Sequence, residues 1–476
     1  MKGMHASFLR RSVPAIFLAL AVPAAGAQDV LTQPIAFVGV DVLPMDAERV
    51  LENQTVLVAD GRIRDMGPRD ALDPGQGTQV INGEGLYLMP GLAEMHAHVP
   101  GVDADPDYRN RVLFLFVANG VTTMRGMLGE PAHLELRSAI AAGRVVGPRL
   151  YTSGTSFNGN SVTSPEQAVA MARAQKSAGY DFFKIHPGLT RAEFDALAAE
   201  AHTLRMPFAG HVSTEVGLKR VLEAGQASID HLDSYMQALA PGAAGDGGFF
   251  GFALTRSAKP GRIPELARDT ARARVWNVPT QTLIENFVLP EDPEELRRRA
   301  EIRYMPPAIV EQWASAKRQL VGGADYDPDA AVRFVELRRR LIRALHEAGA
   351  GLLLGSDAPQ VFNVPGFSAH RELGLLVASG LTPDEALRAG TAAPARFFGA
   401  AQTFGTVARG LDADLVLLEA NPLEDIDHAS RIAGVMLRGR WLPRAELDEG
   451  LRRLATPVVP AKAGHPPVDP AKAGTR

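Results

Sequence analysis

A chain of 476 residues, 46% of them hydrophobic, has material for a sizeable core and is long for one compact domain. Its 50 basic and 54 acidic residues leave a formal net charge of −4, so the charge balance gives no reason to expect nucleic acid as a partner. No cysteine occurs, which excludes disulfides, thiol catalysis and a lipid-anchored N-terminal cysteine.

The first residues read as an export signal. Lys2, Arg10 and Arg11 form a positive start, and Val13 to Val22 is an apolar run shorter than the ~20 residues that span a bilayer. Ala25-Gly26-Ala27 supplies small residues for cleavage before Gln28. With residues 1–27 removed, the protein is expected to be periplasmic or secreted, with no membrane contact. Next, Ile35 to Val42 and Thr55 to Val58 read as short strands, with Asp60-Gly61 as a hairpin turn. Arg62 to Met66 and Gln79 to Asn82 continue the pattern. The stretches Ala413 to Leu418, Ile432 to Leu437 and Gly439 to Trp441 resemble it. The two ends, 28–87 and 405–456, are read as one small β-sandwich domain, split in sequence and joined in space.

Strand and helix signals alternate between these ends. Val121 to Met124, Phe182 to Ile185, Phe208 to Gly210, Val275 to Pro279 and Leu352 to Gly355 read as strands. Capping boxes are read at Ser164-Pro165-Glu166-Gln167, at Thr190 with Glu193, and at Thr382-Pro383-Asp384-Glu385. Strand then helix, repeated over 88–404, predicts an α/β fold of the (β/α)8 TIM-barrel type, which takes ~250 residues plus insertions. Pro241 to Arg262 carries Phe249, Phe250 and Phe252 in a Gly- and Ala-rich setting. It is read as an insertion, either a lid over the barrel mouth or a passive surface loop. The runs Arg297–Arg299 and Arg338–Arg340 are expected on solvated helix faces. The tail 457–476 repeats Pro-Ala-Lys-Ala-Gly and is expected to be disordered.

The chemistry starts at Met95-His96-Ala97-His98. Residues two apart on an extended segment share a face, so His96 and His98 can reach one cation together. His211, His231 and Asp357 each sit where another apolar strand gives way to a polar loop. Imidazole and carboxylate suit zinc, and this set exceeds what one tetrahedral ion closes with, which points to two divalent ions. Lys184 ends a further strand. An ammonium has no lone pair, so Lys184 serves a cation only after reaction with carbon dioxide to a carbamate. Its other reading is a lysine paired with a carboxylate.

Taken together these segments resemble the amidohydrolase superfamily, in particular its imidazolonepropionase-like and prolidase-like branch. The matching stretches are Leu88-Met89-Pro90-Gly91-Leu92 through His98, Gly120 to Arg125, Phe183-Lys184-Ile185, Gly210-His211-Val212, Ile229-Asp230-His231 and Gly355-Ser356-Asp357-Ala358. Gly380 to Leu387 and Ala413 to Val416 also match, so the likeness runs from about Val30 to Leu454. The resemblance implies that His96, His98 and Asp357 bind the more buried ion and that His211 and His231 bind the more exposed one. N6-carboxylated Lys184 would bridge both, and a hydroxide shared by the ions would be the nucleophile. Asp357 would carry its proton to the leaving nitrogen. Tyr235 is a candidate catalytic donor to a developing oxyanion. Arg125 is a candidate substrate-binding residue for a carboxylate, with a structural salt bridge as its other reading. His186 is read as a supporting group or a satisfied core histidine, and His370 as structural.

The sequence departs from the branch in two places. Phe157-Asn158-Gly159-Asn160 stands where Gly-Gly-His is common, and Gly126 follows Arg125 where aspartate is common. The expected function is that of an exported hydrolase of amide or peptide C–N bonds in a small molecule: a dipeptide, an N-acyl amino acid or a cyclic amide. Deamination, or lactone or organophosphate hydrolysis, is the alternative on the same metals. A non-catalytic binding protein on a retained barrel is the alternative of another class. A homo-oligomer is compatible with the sequence.

Overall fold

The computed structural model describes residues 33–243, 245 and 247–455. The export signal read at 1–27 and the tail at 457–476 lie outside the described residues. Five strands come first: β1 (Ile35–Val42), β2 (Leu51–Ala59), β3 (Arg62–Pro68), β4 (Gln79–Asn82) and β5 (Tyr87–Pro90). β2 and β3 form an antiparallel hairpin whose turn, Asp60-Gly61, has φ of 53° and 73°, the left-handed pair that a two-residue hairpin favours. β1 pairs antiparallel with β2 and parallel with β4 and β5.

The other chain end completes this sheet. β13 (Leu415–Leu418), β14 (Ile432–Leu437) and β15 (Arg440–Pro443) follow one another antiparallel, and β13 also pairs with β5 from Leu415↔Pro90 to Leu418↔Tyr87. Phe37, Val56, Leu88, Leu415 and Met436 share one apolar cluster on it. Tyr87–Pro90 therefore lies in the composite sheet, and the chain leaves it at Gly91, a few residues later than the expected seam at 87–88.

The rest is an α/β fold with parallel sheets. β6 (Leu92–Ala97), β7 (Val121–Gly126) and β8 (Arg149–Thr152) form one sheet. β9 (Phe183–Ile185), β10 (Phe208–Gly210), β11 (Ser228–Asp230) and β12 (Trp276–Val278) form the second. Single parallel bridges join Ser153 to Phe182, Asn277 to Leu352, and Ala97 to Ala358. Leu352–Gly355, expected as a strand, is buried and shares backbone hydrogen bonds with both β12 and β6. Leu353 N donates to Asn277 O, and Met95 N donates to Leu354 O. It forms no longer ladder because side chains take the next backbone groups: Glu94 Oε1 accepts from Ser356 N, and Asn363 Nδ2 donates to Ser356 O.

Helix starts follow the local chemistry. Thr190 with Glu193 and Thr382 with Glu385 close complete capping boxes. At Ser164 the box is half-formed: its side chain accepts from Gln167 N, but the Gln167 side chain accepts from Thr163 instead of Ser164. No helix among the described residues is long and apolar enough to cross a membrane.

Candidate metal centre

Strand ends deliver the site. His96 lies in β6 and His98 just beyond it; His211 follows β10 and His231 follows β11. Asp357 sits between these imidazoles. Its Oδ1 is 2.7 Å from His98 Nε2 and 3.5 Å from His96 Nε2, and its Oδ2 is 3.8 Å from His231 Nδ1. Ring centroids are 4.4 Å apart for His96 and His231 and 4.7 Å apart for His211 and His231. One donor atom each from His96, His231 and Asp357 lies within 4.8 Å of the others. Buried imidazoles facing a shared carboxylate make a donor set that suits a divalent cation.

Lys184 completes this set. Its side chain is fully buried, and Nζ has no hydrogen-bond partner among the described residues. The nearest carboxylate oxygen, Asp230 Oδ2, is 3.7 Å away. Burial lowers the ammonium to about 8, against the opposing pull of Asp230 and Asp357. Gly210 makes the room: a Cβ there would lie 2.3 Å from Ile185 O and 3.0 Å from Lys184 Cδ, and its φ is +130°. An orphaned amine in such a cradle, beside convergent imidazoles, fits a lysine that is modified to meet cations.

The backbone is strained at these positions. His231, Thr280 and Asp357 have φ of 62°, 48° and 63°, left-handed values that cost on the order of 1–3 kcal/mol each for side-chain-bearing residues. Neighbours hold them there. His231 N donates to Val278 O, Asp357 N donates to His96 O, and Thr280 Oγ1 lies 2.8 Å from His231 Nδ1. Gly355 lets the Asp357 segment close on β6, since a Cβ there would lie 2.8 Å from His96 N.

Residue-by-residue reading had missed most of the supporting groups. Asp230 is fully buried; Oδ1 accepts from Ser228 Oγ and Arg125 Nη2, and Oδ2 lies 3.1 Å from His96 Nδ1. Asp233 Oδ2 lies 3.0 Å from His211 Nδ1 and accepts from Val212 N. Glu94 accepts from both Ser356 N and Ser356 Oγ, and burial raises its carboxyl to about 7. An acidic residue inside an apolar strand, as in Ser228-Ile229-Asp230, was the available signal. Arg338 corrects the expectation of a solvated face. It is buried and donates to His231 O at 2.7 Å, Pro279 O at 2.8 Å and Gln281 Oε1 at 3.0 Å. Its helix turns this position inward, where strand-end carbonyls need a donor.

The sequence profile of the amidohydrolase family matches residues 87–442. The chain belongs to the amidohydrolase family. It is a hydrolytic enzyme of carbon–nitrogen bonds. Among curated proteins it is similar to ochratoxinase of Aspergillus niger, at 24% identity with 81% of each chain covered. Among solved structures it resembles a Bifidobacterium longum protein assigned as a prolidase, at 25% identity and a TM-score of 0.65, covering 89% of this chain and 99% of that one. It also resembles a bottromycin amidohydrolase, at 23% identity and a TM-score of 0.70, covering 88% of this chain and 89% of that one.

Arg125 and Tyr235, expected at the substrate, are both fully buried in this amidohydrolase. Arg125 is 0% exposed, and its Nε, Nη1 and Nη2 donate to Met95 O, Ser228 Oγ and Asp230 Oδ1 at 2.7, 3.0 and 3.2 Å. It is an internal ion-pair partner and not a free cation awaiting a substrate carboxylate. Tyr235 is also 0% exposed, with its hydroxyl 2.8 Å from Thr270 Oγ1 and donating to Asn277 Oδ1 at 3.0 Å. Its proton is committed inside the fold and is not available to an oxyanion. Tyr235→Phe is therefore expected to leave kcat within about twofold and to lower stability by about 1–3 kcal/mol, the cost of unsatisfied buried partners. Urea unfolding beside initial-rate kinetics checks this; a kcat loss of more than tenfold at unchanged stability would restore the catalytic role.

The 241–262 segment does reach the site. Phe250 has a φ of 48°, and its ring lies 4.8 Å from that of His231 and 6.0 Å from that of His211. Phe249 backs it, 4.5 Å from both Phe250 and Phe287. His370 is half-buried, and its Nε2 lies 2.9 Å from Asn119 O, a contact within the fold.

Proposed function

We propose that this amidohydrolase holds two divalent ions through His96, His98, Lys184, His211, His231 and Asp357, with Lys184 carboxylated and zinc the best-suited metal. It then hydrolyses an amide bond in a small molecule: a dipeptide, an N-acyl amino acid or a cyclic amide. The observation that carries this is the buried Lys184 amine, which has no hydrogen-bond partner among the described residues and stands 3.7 Å from Asp230 beside the convergent imidazoles. The relatives' names, a prolidase and a bottromycin amidohydrolase, support the amide class.

Bound ions of this kind acidify a water and polarise a carbonyl. The chain's own groups do the rest. Asp357 receives a proton at a carboxylate oxygen and returns it to the leaving nitrogen, while Gln360 Nε2 steadies Oδ1 from 3.0 Å. Asp233 orients His211 and Thr280 orients His231, which fixes each ring's free nitrogen. Phe250 lies over His211 and His231 and limits water there.

We read the strand-and-helix region 88–404 as a closed (β/α)8 barrel. Support comes from parallel pairings that run from β6 through β12 to Leu352 and from the bridge that returns at Ala97 and Ala358. The composite sheet, with its separate apolar cluster, is read as the small β-sandwich beside it. Export through residues 1–27 would put the enzyme outside the cytoplasm.

The test is metal analysis with a screen of dipeptides, N-acyl amino acids and cyclic amides. About two ions per chain are expected, together with hydrolysis of at least one class that chelation abolishes and zinc restores. Two bound metals with no amide hydrolysed would remove this function, and activity that survives thorough chelation would remove the metal mechanism.

A further inference from the structure

We propose that His186 is a substrate-contacting residue whose imidazole donates a hydrogen bond to a substrate oxygen beside the scissile amide. This rests on the amide-hydrolysing function proposed above and goes beyond its six ligands.

His186 stands two residues after Lys184, and side chains at that spacing on extended backbone share a face. The His186 ring centroid is 5.0 Å from that of His211, with the planes 31° apart. The residue is 8% exposed and otherwise enclosed by the fold. Nδ1 has no hydrogen-bond partner among the described residues. A buried nitrogen left without a partner is a cost that nothing in the fold returns, and a bound ligand is one thing that would return it.

The backbone holds His186 in place. Its N–H donates to Phe157 O at 2.9 Å, and Phe157 bridges Ile185 in parallel. These backbone contacts fix the His186 main chain beside the loop after β8. An imidazole nitrogen can donate a hydrogen bond or accept one, so the unpartnered Nδ1 has that capacity in reserve. Arg125 and Tyr235, the other two residues considered for the substrate, are fully buried and donate into the fold. His186 retains an unused nitrogen next to the histidine of the more exposed ion.

The experiment compares metal-loaded wild type with His186→Phe and His186→Gln. The readouts are ions per chain, melting temperature, kcat and KM on an amide from the screen, and calorimetric binding of a phosphonamidate analogue of an N-acyl amino acid. His186→Phe is expected to keep its ions and melting temperature, to lose about 10–100-fold in kcat/KM, and to bind the analogue at least about tenfold more weakly. His186→Gln, which keeps a donor, is expected to recover part of both. If the His186→Phe chain does not fold, His186→Ala is read in the same way. Unchanged kcat/KM and binding would overturn the inference and leave the amide function standing. Loss of an ion would also overturn it, by making His186 a ligand. A wild type that neither hydrolyses amides nor binds the analogue would overturn the function first and the inference with it.

Discussion

Lys184→Ala is expected to lose bound metal, from about two ions per chain to fewer than one, and at least ~10³-fold in kcat/KM, about 4 kcal/mol of transition-state stabilisation. The reasoning starts from burial. An ammonium with no hydrogen-bond partner and a carboxylate oxygen no nearer than 3.7 Å is poorly compensated. Burial lowers it to about 8, which makes the neutral amine accessible near neutral pH, and that is the form that reacts with carbon dioxide. The carbamate then turns a repelled cation into a two-oxygen anion among His96, His211, His231 and Asp357. Removing the side chain leaves a cavity that Gly210 cannot fill. Short carboxylic acids such as acetate or propionate are expected to restore part of the metal content and part of the rate. Metal content equal to wild type in Lys184→Ala, measured by elemental analysis, would defeat the bridging role.

Arg125→Met is expected to destabilise the fold by about 3–5 kcal/mol, the cost of leaving a buried carboxylate without its partner. Asp230 is the group left behind. It is fully buried, and Arg125 is the leading charge set against the cost of burial; the balance lowers its pKa. The guanidinium also lies 5.1 Å from the ring centroid of Phe397 and 5.6 Å from that of Phe182, so its removal also loosens aromatic packing. A double-mutant cycle separates these contributions. Arg125→Met with Asp230→Asn should cost less than the sum of the two single changes, by about 1–3 kcal/mol in urea unfolding. A raised KM at wild-type stability in Arg125→Met would instead return the arginine to a substrate-binding role.

How far the site could be read before folding depended on the range of the interaction. His96 and His98 share a face because backbone geometry sets the direction of side chains two residues apart. The boxes at Thr190 and Thr382 close because each partner lies three residues away. The roles of Arg125, Tyr235 and Arg338 were not legible, because their partners lie far along the chain. Arg125 meets Asp230 across 105 residues, Tyr235 meets Asn277 across 42, and Arg338 meets His231 O across 107. In sequence a long polar side chain near a motif looks available to a substrate. Only its burial shows that its hydrogens are already used.

The amino-acid order by itself determined where apolar strands end, which of those ends carry imidazole, carboxylate or amine, and that the two chain ends are both strand-forming. These are matters of residue type and of spacing over a few positions. The tertiary structure alone decided that Asp357 stands between His98 and His231, that the Lys184 amine is buried without a hydrogen-bond partner among the described residues, that Phe250 lies over His231 and His211, and that Glu94, Asp230 and Arg338 hold the frame. The reason is physical. Desolvation and hydrogen-bond satisfaction depend on everything that surrounds an atom, and those surroundings form only when distant segments pack together.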